Sequence, residues 1–444
     1  MTEQEHIYDV IGIGLGPFNL GMAALVDPLD EVSALFLEQE AEFNWHPNML
    51  LNKTTLQVSF LADLVSMVDV KSDYSFLNYL QQHDRLYQFY FLEKFHIPRK
   101  EYNHYCRWVS RQLDTCRFSR KVEQVTTIDV DGERLYQVTS INQETGRTEM
   151  YIAKHVVMGI GTQPYVPQAF EHTLGETVFH TSGYLPAKAA GGLGGSVAVL
   201  GSGQSAAEVF LDVAHHQEDS GGSLQWYTRS KGFFPMEYSK LGLEHFSPDY
   251  TQFFYDLPQS KKDELLKEQD LLYKGISEDT IAAIYDHLYE RTAGGEDPDI
   301  HLQAMTEMRS ISEEGGRWVM SGVQRISGEP VEAEADIVIL GTGYQPRLPS
   351  FLDGVDEEIH RDEKGRFVIN KGYDLETELE TSGNIYVQNA ELHTHGVGAP
   401  DLGLGAYRNA VIINSITERQ VYATDMNQIF QTFGAGKKRA VQHL

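Results

Sequence analysis

The sequence is poor in cysteine and in positive charge. It has 2 cysteines among 444 residues, Cys106 and Cys116, and no Cys-x-x-Cys pair, so neither a disulfide framework nor a zinc site is expected. Its 36 Lys and Arg residues stand against 64 Asp and Glu residues, which gives a formal net charge of −28. This charge argues against nucleic acids and anionic membranes as partners, because both are bound through basic patches.

Long apolar runs and targeting signals are also missing. No run of about 18 apolar residues predicts a membrane helix. The acidic start, Met1-Thr-Glu-Gln-Glu-His6, does not have the pattern of a signal peptide, and we expect a cytoplasmic protein. His393 and His395 have no third ligand nearby in the sequence, so no metal site is predicted. No Ser-His-Asp or Cys-His arrangement is found either.

Two glycine-rich motifs dominate what is present. The first is Gly12-Ile-Gly-Leu-Gly-Pro-Phe-Asn19, and the second is Gly201-Ser-Gly-Gln-Ser-Ala-Ala-Glu208. Each follows a short apolar run and opens a helical pattern. In that context the glycines permit a tight turn and the close approach of a pyrophosphate, which also meets the helix N-terminus. One such motif is weak evidence, but two in one chain predict a flavin and a nicotinamide nucleotide.

The residues downstream of each motif distinguish the two sites. The first motif is followed by an apolar strand that ends in Glu38, whose carboxylate can accept hydrogen bonds from ribose hydroxyls, as in FAD or NAD sites. The corresponding strand after the second motif ends near Arg229 and Lys231. Cations at this position favour the 2′-phosphate of NADPH. The alternative for Arg229 is a solvated cation at a strand end.

These patterns predict an α/β fold with two Rossmann-like dinucleotide-binding domains, for FAD and NADPH, and a small, mostly helical substrate region. We assign residues 1–165 and 335–444 to a discontinuous FAD-binding domain and residues 166–334 to an NADPH-binding domain. Residues 235–310, which have mostly polar helical patterns, form the predicted substrate region inside the second domain. Apolar strands that lead into Gly161 and Gly343 mark the two crossings between the domains.

Motifs outside the glycine turns carry a resemblance to a known family. They include Asn44-Trp-His-Pro-Asn-Met49, Leu56-Gln-Val-Ser-Phe60, Tyr74-Ser-Phe-Leu-Asn-Tyr-Leu80, Gly341-Thr-Gly-Tyr344 and Thr394-His-Gly396. With them the chain resembles the flavin-dependent N-hydroxylating monooxygenases of siderophore biosynthesis, the lysine N6- and ornithine N5-monooxygenase family. The resemblance covers about residues 8–408.

The resemblance implies a reaction and a quaternary state. NADPH would reduce FAD, O2 would add to the flavin as a C4a-hydroperoxide, and a neutral primary amine would attack it to give an N-hydroxylamine. The flavin would itself be the reactive group, so no catalytic side chain is assigned. The family also implies a homo-oligomer, a dimer or a tetramer.

The motifs and the resemblance together predict the cofactor-binding residues. Those around residues 45–57 would line the flavin, although an aromatic and polar core at a domain junction is the alternative. The predicted residues are Gly12, Gly14, Gly16, Pro17, Phe18, Asn19, Glu38, Trp45, His46, Asn48, Met49, Gln57, Gly201, Gly203, Gln204, Ser205, Arg229, Lys231, Gly343, Tyr344, His395, Gly396 and Leu404.

The substrate prediction comes from departures from the family pattern. Ala62 stands where amino-acid-hydroxylating members commonly have a lysine that pairs with the substrate α-carboxylate. Leu243 and Leu272 stand where those members have asparagines, and Gly403 stands in place of a serine. A buried carboxylate without a cation costs several kcal/mol, roughly, so lysine and ornithine are expected to bind poorly. The apolar walls suit the diamines cadaverine and putrescine instead.

Several alternatives accompany this prediction. Glu237 and Glu244 are candidates for the acid that meets the distal ammonium, and Glu244 is included among the substrate residues. A lysine or ornithine hydroxylase with its carboxylate anchor elsewhere is the alternative function. A disulfide reductase would need a redox cysteine pair, which Cys106 and Cys116 do not form in sequence, and the linker signature of Baeyer–Villiger oxygenases is not found. One methylene is worth only about 1–3 kcal/mol, so cadaverine and putrescine are not distinguished.

Overall fold

The computed structural model describes residues 6–220, 222–347, 349–425 and 428–435. The outermost parts of the predicted segments 1–165 and 335–444, namely residues 1–5 and 436–444, therefore lie outside the described residues. Within the described ranges, no helix combines the length and the apolar character that crossing a membrane requires.

The strands form two parallel sheets with antiparallel additions. They are β1 (Ile7–Ile13), β2 (Ala34–Leu37), β3 (Cys116–Arg117), β4 (Arg120–Val130), β5 (Glu133–Asn142), β6 (Thr148–Met158), β7 (Thr162–Pro164), β8 (Val178–His180), β9 (Val197–Leu200), β10 (Leu224–Tyr227), β11 (Ile300–Gln303), β12 (Thr306–Glu314), β13 (Arg317–Gln324), β14 (Pro330–Ala335), β15 (Ile337–Leu340), β16 (Tyr344–Pro346) and β17 (Ile385–Val387).

The helices cover the sheets and fill two insertions. They are α1 (Pro17–Val26), α2 (Phe76–Gln82), α3 (Leu86–Leu92), α4 (Arg99–Ser110), α5 (Gln168–Glu171), α6 (Tyr184–Ala189), α7 (Gln204–Ser220), α8 (Pro248–Tyr255), α9 (Gln259–Glu268), α10 (Asp270–Tyr273), α11 (Glu278–Thr292), α12 (Leu392–His395) and α13 (Gly405–Ile416). Short 3₁₀ turns occur at Pro47–Met49, Thr181–Gly183, Gly242–His245, Ser350–Leu352, Asp356–Glu358 and Leu402–Leu404.

The first domain is built on the sheet that contains β1. Its order is β3-β2-β1-β6-β5-β4, with β17 also parallel to β6. The strands β1 and β2 are apolar and almost wholly buried, because helices α1, α4 and α13 pack on one side of this sheet. The loops that follow β1 and β2 at their carboxyl ends therefore meet at one edge, where ligands of such sheets bind.

The second domain is built on a five-stranded parallel sheet in the order β11-β10-β9-β15-β8. The chain between β11 and β15 forms a separate three-stranded antiparallel sheet, β12-β13-β14. The chain passes between the domains twice. The two crossing segments contain β7 and β16, which pair with each other as antiparallel strands. These sheets agree with the predicted fold class of two Rossmann-like α/β domains.

The domain boundaries differ from the predicted ones in two places. Strand β15 pairs with β9 and β8, so the second domain continues past the boundary predicted at residue 335. The helical pattern of residues 235–310 ends with α11 at Thr292, and β11 and the start of β12 occupy the rest. Helix α11 also packs against α7, and is therefore part of the crossover from β10 to β11 rather than only of a substrate region.

Candidate active site

Most of the predicted cofactor residues line one cleft between the two domains, with a volume of about 2780 Å³. The cleft receives residues from both glycine turns and from the insertions of both domains. The predicted cofactor residues that line it are Gly14, Gly16, Pro17, Phe18, Glu38, Trp45, His46, Met49, Gln57, Gly201, Gly203, Gln204, Ser205, Arg229, Lys231, Gly343 and Tyr344. The predicted residues that are not in its lining are Gly12, Asn19, Asn48, His395, Gly396 and Leu404.

The first glycine motif forms a tight turn between β1 and α1. Gly14 has φ +81°, and a Cβ atom there would lie 2.7 Å from the carbonyl oxygen of Gly159. A Cβ atom at Gly12 would collide with the Phe36 ring, so this glycine lets β1 and β2 pack. At Gly16 the nearest atom to a Cβ would be 3.9 Å away. The turn thus leaves open backbone at the start of α1, where a pyrophosphate is bound favourably.

Asn19 and Glu38 support this turn from two sides. The fully buried Asn19 donates from its amide to the Gly14 carbonyl at 2.8 Å, and its Oδ1 accepts from Gln388 at 2.6 Å. It therefore shapes the turn from behind instead of lining the cleft. Glu38 follows β2 and accepts the N–H of Leu15 at 2.7 Å. Because a carboxylate offers about four acceptor positions, Glu38 can also accept hydrogen bonds from a ribose.

Aromatic and imidazole rings line the cleft near this turn. The Trp45 ring packs edge-on against Tyr102, with ring centroids 5.2 Å apart. His46 lies edge-on to Tyr344 at 6.0 Å. Burial within the protein lowers the pKa of His46 to about 4, and the positive charge of Arg99 contributes in the same direction. At neutral pH this ring is therefore uncharged and offers one N–H donor and one acceptor.

Gln57 lies where the two domains meet. Its Nε2 is 3.4 Å from Oε1 of Gln204 and 3.2 Å from the sulfur of Met236. Its carbonyl oxygen accepts a hydrogen bond from the Tyr238 hydroxyl at 3.0 Å. All three partners belong to the second domain, so Gln57 connects the first domain to the second nucleotide motif across the cleft.

The second glycine motif has the same construction as the first. Gly201 has φ +136°, and a Cβ atom there would lie 2.0 Å from the Gly341 carbonyl oxygen. A Cβ atom at Gly203 would have no neighbour within 4 Å, and α7 begins at the next residue, Gln204. The open backbone at the start of a long helix fits the pyrophosphate of a second dinucleotide.

Four arginine and lysine side chains gather beside this second turn. Arg229 and Lys231 follow β10, as predicted, and line the cleft with Arg309 and Arg325. The Arg325 guanidinium donates to the Arg229 carbonyl at 3.2 Å. In a chain with a net charge of −28, this cationic group fits a 2′-phosphate. Arg309 and Arg325 come from β12 and from the turn after β13, and no sequence motif indicated them.

The predicted substrate residues Ala62, Leu243, Leu272 and Gly403 all line the cleft. Ala62 and Leu272 are buried, with 6% and 7% of their surface exposed. Ala62 and Gly403 are close neighbours, since a Cβ atom at Gly403 would lie 3.7 Å from the Ala62 Cβ. These apolar groups would remove water from a bound amine. Desolvation lowers the pKa of an amine from its ordinary value of roughly 10.4 and so increases its neutral, nucleophilic form.

Glu244 does not line the cleft, which corrects the prediction that it contacts the substrate. Its carboxylate accepts the backbone N–H groups of Phe430 and Gln431 at 2.7 and 2.8 Å. The 3₁₀ turn at residues 242–245 directs Leu243 and Glu244 to different sides. Glu244 therefore holds the segment near the C-terminal end of the chain.

The turn at residues 394–396 is part of the core, which corrects its predicted contact with the cofactor. The His395 ring is stacked on Tyr373 with centroids 4.3 Å apart, and its Nδ1 lies 2.8 Å from the Thr394 hydroxyl. Gly396 has φ +84°, and a Cβ atom there would lie 2.9 Å from the Phe254 ring. Leu404 is buried and packs over Gly398 instead. These residues connect α8 and α12 behind the cleft.

His395→Gln is expected to weaken the pH dependence of stability. Burial lowers the pKa of His395 from its ordinary 6.5 to about 3. Between these values the unfolded chain binds a proton that the folded chain lacks, so the free energy of unfolding falls as the pH drops through this window. At pH 5 this histidine accounts for about 2 kcal/mol of the fall. Urea unfolding at pH 7 and pH 5 measures it, and an equal fall in the variant would contradict the assignment.

An ion pair between the domains was not predicted from the sequence. Arg99 in α4 makes two contacts of 2.8 Å with the carboxylate of Glu208 in α7. The Arg99 Nε also donates to the Thr55 carbonyl at 3.2 Å, and Gln204 donates to Glu208 at 2.7 Å. Glu208 lies within the second glycine motif, but Arg99 is far away in sequence and belongs to no motif. Only the packing of α4 against α7 reveals the pair.

Comparison with known proteins identifies the family. A family model described as L-lysine 6-monooxygenase/L-ornithine 5-monooxygenase matches residues 6–346. The chain belongs to this family. The membership predicted from the motifs is thereby confirmed, and with it the class of flavin-dependent N-hydroxylating monooxygenases that use FAD and NADPH.

Three relatives of the family cover nearly the whole chain. The putrescine N-hydroxylase of Shewanella oneidensis is 41% identical over 429 residues, which are 96% of this chain and 84% of the relative. The crystal structure of the FAD-bound cadaverine monooxygenase DfoA from Erwinia amylovora has a TM-score of 0.93 at 38% identity and covers 98% of this chain and 100% of that one. An L-lysine N6-monooxygenase of Escherichia coli is 32% identical over 419 residues, 94% of this chain and 96% of the relative.

The residues of the cleft fit these cofactors. The glycine turn, Glu38 and the rings at 45 and 46 would hold FAD, and the second turn with its four cations would hold NADPH. When bound and reduced by NADPH, FAD supplies the activation of O2 for transfer of one oxygen atom to an amine. The side chains of the cleft would bind and orient the cofactors, keep water out of its apolar part and favour the neutral form of the amine.

Arg229→Gln is expected to raise KM for NADPH by about 10- to 100-fold, because a charged hydrogen bond to the 2′-phosphate is lost. KM for NADH, which lacks this phosphate, should change little. Steady-state oxidation of both nucleotides measures the effect. Arg147→Gln, an exposed site in the hairpin after β5, is the control. Equal losses with NADPH and NADH would contradict the phosphate role of Arg229.

Proposed function

We propose that this enzyme hydroxylates one nitrogen of a primary aliphatic diamine, cadaverine or putrescine, to supply an N-hydroxydiamine for a hydroxamate siderophore. The observation that carries the proposal is the apolar lining of the cleft at Ala62, Leu243, Leu272 and Gly403. None of these four residues has a cationic side chain that could pair with a carboxylate.

The charge balance of this lining favours a diamine over an amino acid. A carboxylate desolvated without a cation loses several kcal/mol, roughly, relative to water. Lysine and ornithine carry such a carboxylate, whereas cadaverine and putrescine carry a second ammonium. The two relatives named for putrescine and cadaverine are 41% and 38% identical to this chain, and the lysine-hydroxylating relative is 32% identical. The order of similarity supports a diamine substrate.

Lys274 favours the alternative of a lysine or ornithine hydroxylase. It lines the cleft two residues after Leu272, and its ammonium lies 5.0 Å from the Tyr273 ring centroid. A carboxylate anchor at this position would compensate for the missing cation at Ala62. Lys274→Met separates the two functions, because it should lower amino-acid hydroxylation but leave diamine hydroxylation intact.

The test is formation of the N-hydroxylated product from cadaverine, putrescine, L-lysine and L-ornithine, with FAD and NADPH present. Mass spectrometry of the product is preferred to NADPH loss, since oxygen reduced without transfer also consumes NADPH. We expect kcat/KM for a diamine to exceed that for either amino acid by at least about 10-fold. Faster product formation from L-lysine or L-ornithine would contradict the diamine assignment and leave the N-hydroxylase class in place.

We also infer that the active protein is a homo-oligomer. None of the residues of α3 is buried, and Tyr87, Tyr90 and Phe91 are each more than 70% exposed. Contiguous apolar surface of this kind is typical of protein interfaces. Light scattering of the purified enzyme should give a mass of at least twice 50.1 kDa, and a monomer at micromolar concentration would contradict the inference.

A further inference from the structure

The carboxylate of Asp401 lies beside the predicted substrate residues. Asp401 lines the cleft, and its Oδ1 lies 2.8 Å from the position that a Cβ atom at Gly403 would occupy. The same position lies 3.7 Å from the Ala62 Cβ. Asp401, Gly403 and Ala62 therefore form one continuous surface. The absence of a side chain at Gly403 leaves the carboxylate room in the cleft.

The local hydrogen bonding leaves Asp401 with acceptor capacity. It precedes the 3₁₀ turn at residues 402–404 and accepts the Gly403 N–H at 2.7 Å. Capping the start of this turn uses the N–H groups of Gly403 and Leu404. A carboxylate accepts about four hydrogen bonds, and the side chain remains partly open to the cleft. A ligand with N–H donors can therefore reach it.

Arg408 carries the positive charge that acts on Asp401, but its guanidinium is bound to other groups. Arg408 forms a fully buried ion pair with Glu391 at 2.7 Å and donates to the Ala399 carbonyl at 2.7 Å. Its guanidinium also lies over the Phe18 ring at 4.6 Å. Burial raises the pKa of Asp401 to about 6, although the Gly403 N–H, the Arg408 charge and the Leu404 N–H act in the opposite direction. The ionised carboxylate is thus incompletely compensated by the protein.

The other acids that line the cleft among the described residues have different surroundings. Glu38 binds the backbone N–H groups of the first glycine turn and of its own strand end. Glu307 pairs with Arg309 in the cationic group. Glu268 and Asp270 are exposed to solvent. Asp401 is the acid that combines depth in the cleft with contact to the apolar substrate residues.

We propose that Asp401 binds the distal ammonium of the diamine and thereby determines the preference for diamines over monoamines. This inference rests on the proposed diamine function. A protonated distal nitrogen would be held at Asp401 by a charge-assisted hydrogen bond. The methylene chain would lie along the apolar lining, which leaves the other nitrogen in surroundings where its neutral form is favoured.

The test compares diamines with monoamines of the same chain length in wild type and Asp401→Asn. The substrates are cadaverine with n-pentylamine, and putrescine with n-butylamine. We expect Asp401→Asn to lower kcat/KM for the diamines by about 10- to 100-fold and to leave the monoamines near the wild-type value. The diamine-to-monoamine ratio should therefore collapse. Asp401→Glu, which keeps the charge, should retain part of the ratio.

The controls separate this role from a structural one. Glu357→Gln removes an exposed acid outside the cleft lining and should keep the wild-type ratio. Bound FAD and the rate of flavin reduction by NADPH report whether Asp401→Asn is folded. An equal loss with diamines and monoamines would indicate that Asp401 only caps the start of the 3₁₀ turn, and would overturn the inference. A wild type that prefers L-lysine would contradict the proposed function itself, whatever the variant shows.

Discussion

Ala62→Lys is expected to lower kcat/KM for cadaverine and putrescine by about 100-fold. Ala62 is buried in the cleft lining and lies beside Gly403, next to the Asp401 carboxylate. A lysine ammonium at this position would pair with Asp401 and repel the distal ammonium of the substrate. The repulsion between two such charges in contact is about 1–4 kcal/mol, and each 1.4 kcal/mol corresponds to a factor of about 10.

The measurement is product formation by wild type, Ala62→Lys and Ala62→Met with both diamines and with L-lysine. Methionine is similar to lysine in length but carries no charge, so it reports the steric part of the change. We expect Ala62→Met to lose clearly less diamine activity than Ala62→Lys, and Ala62→Lys to shift the preference towards L-lysine. Equal losses in the two variants would show that volume, and not charge, is what Ala62 contributes.

Arg99→Met is expected to lower the free energy of unfolding by about 3–5 kcal/mol at pH 8, since it leaves Glu208 buried without its cation. Only 14% of the Arg99 side chain and 4% of the Glu208 side chain are exposed. Burial already raises the pKa of Glu208 against the effect of Arg99. Without Arg99 the carboxylate should take up a proton more readily, so the loss should shrink as the pH falls from 8 towards 5.

The same variant should loosen the contact between the domains. Arg99 belongs to the first domain and Glu208 to the helix that starts the second nucleotide site. We therefore expect Arg99→Met to release more hydrogen peroxide for each NADPH consumed, because the cleft is held less firmly. Urea unfolding and peroxide assays measure the two effects.

A double variant and a surface pair provide the controls. Arg99→Met combined with Glu208→Gln removes both charges and should recover part of the lost stability. Arg317→Met removes a surface cation that contacts Glu334 at 2.7 Å and Asp336 at 3.2 Å, and should cost at most about 1–2 kcal/mol. If Arg99→Met were no more destabilising than Arg317→Met, the ion pair would not be what holds the two domains together.

Features made by neighbouring residues were predictable from the sequence. The two glycine turns, the acid after β2 and the cations after β10 each depend on a strand, a turn and a helix that follow one another in the chain. The family motifs identified the enzyme class, and Ala62, between two motifs, led to the diamine hypothesis. Strand β15 was placed in the wrong domain, because its apolar pattern fits either sheet and only its pairing with β9 decides.

Features made by distant residues were not predictable. Arg99 meets Glu208 because helix α4 of the first domain comes to lie against the second domain. Arg325 meets the carbonyl of Arg229 because the turn after β13 folds back beside the end of β10 within the second domain. Glu244 was itself predicted to contact the substrate, yet it holds the chain near residues 430–431.

The sequence by itself determined the fold class and the two glycine turns, which rest on short-range patterns of glycine, charge and apolar residues, and its motifs carried the resemblance that gave the enzyme family. The tertiary structure decided which charged groups face the cleft. Asp401 precedes an ordinary turn in the sequence, and its importance arises from Gly403 and Ala62 beside it and from Arg408, which is bound to Glu391. The Asp401 carboxylate can meet a ligand cation because it is partly buried in the cleft and because Arg408 is paired with Glu391. Both conditions depend on packing between segments that are far apart in the chain.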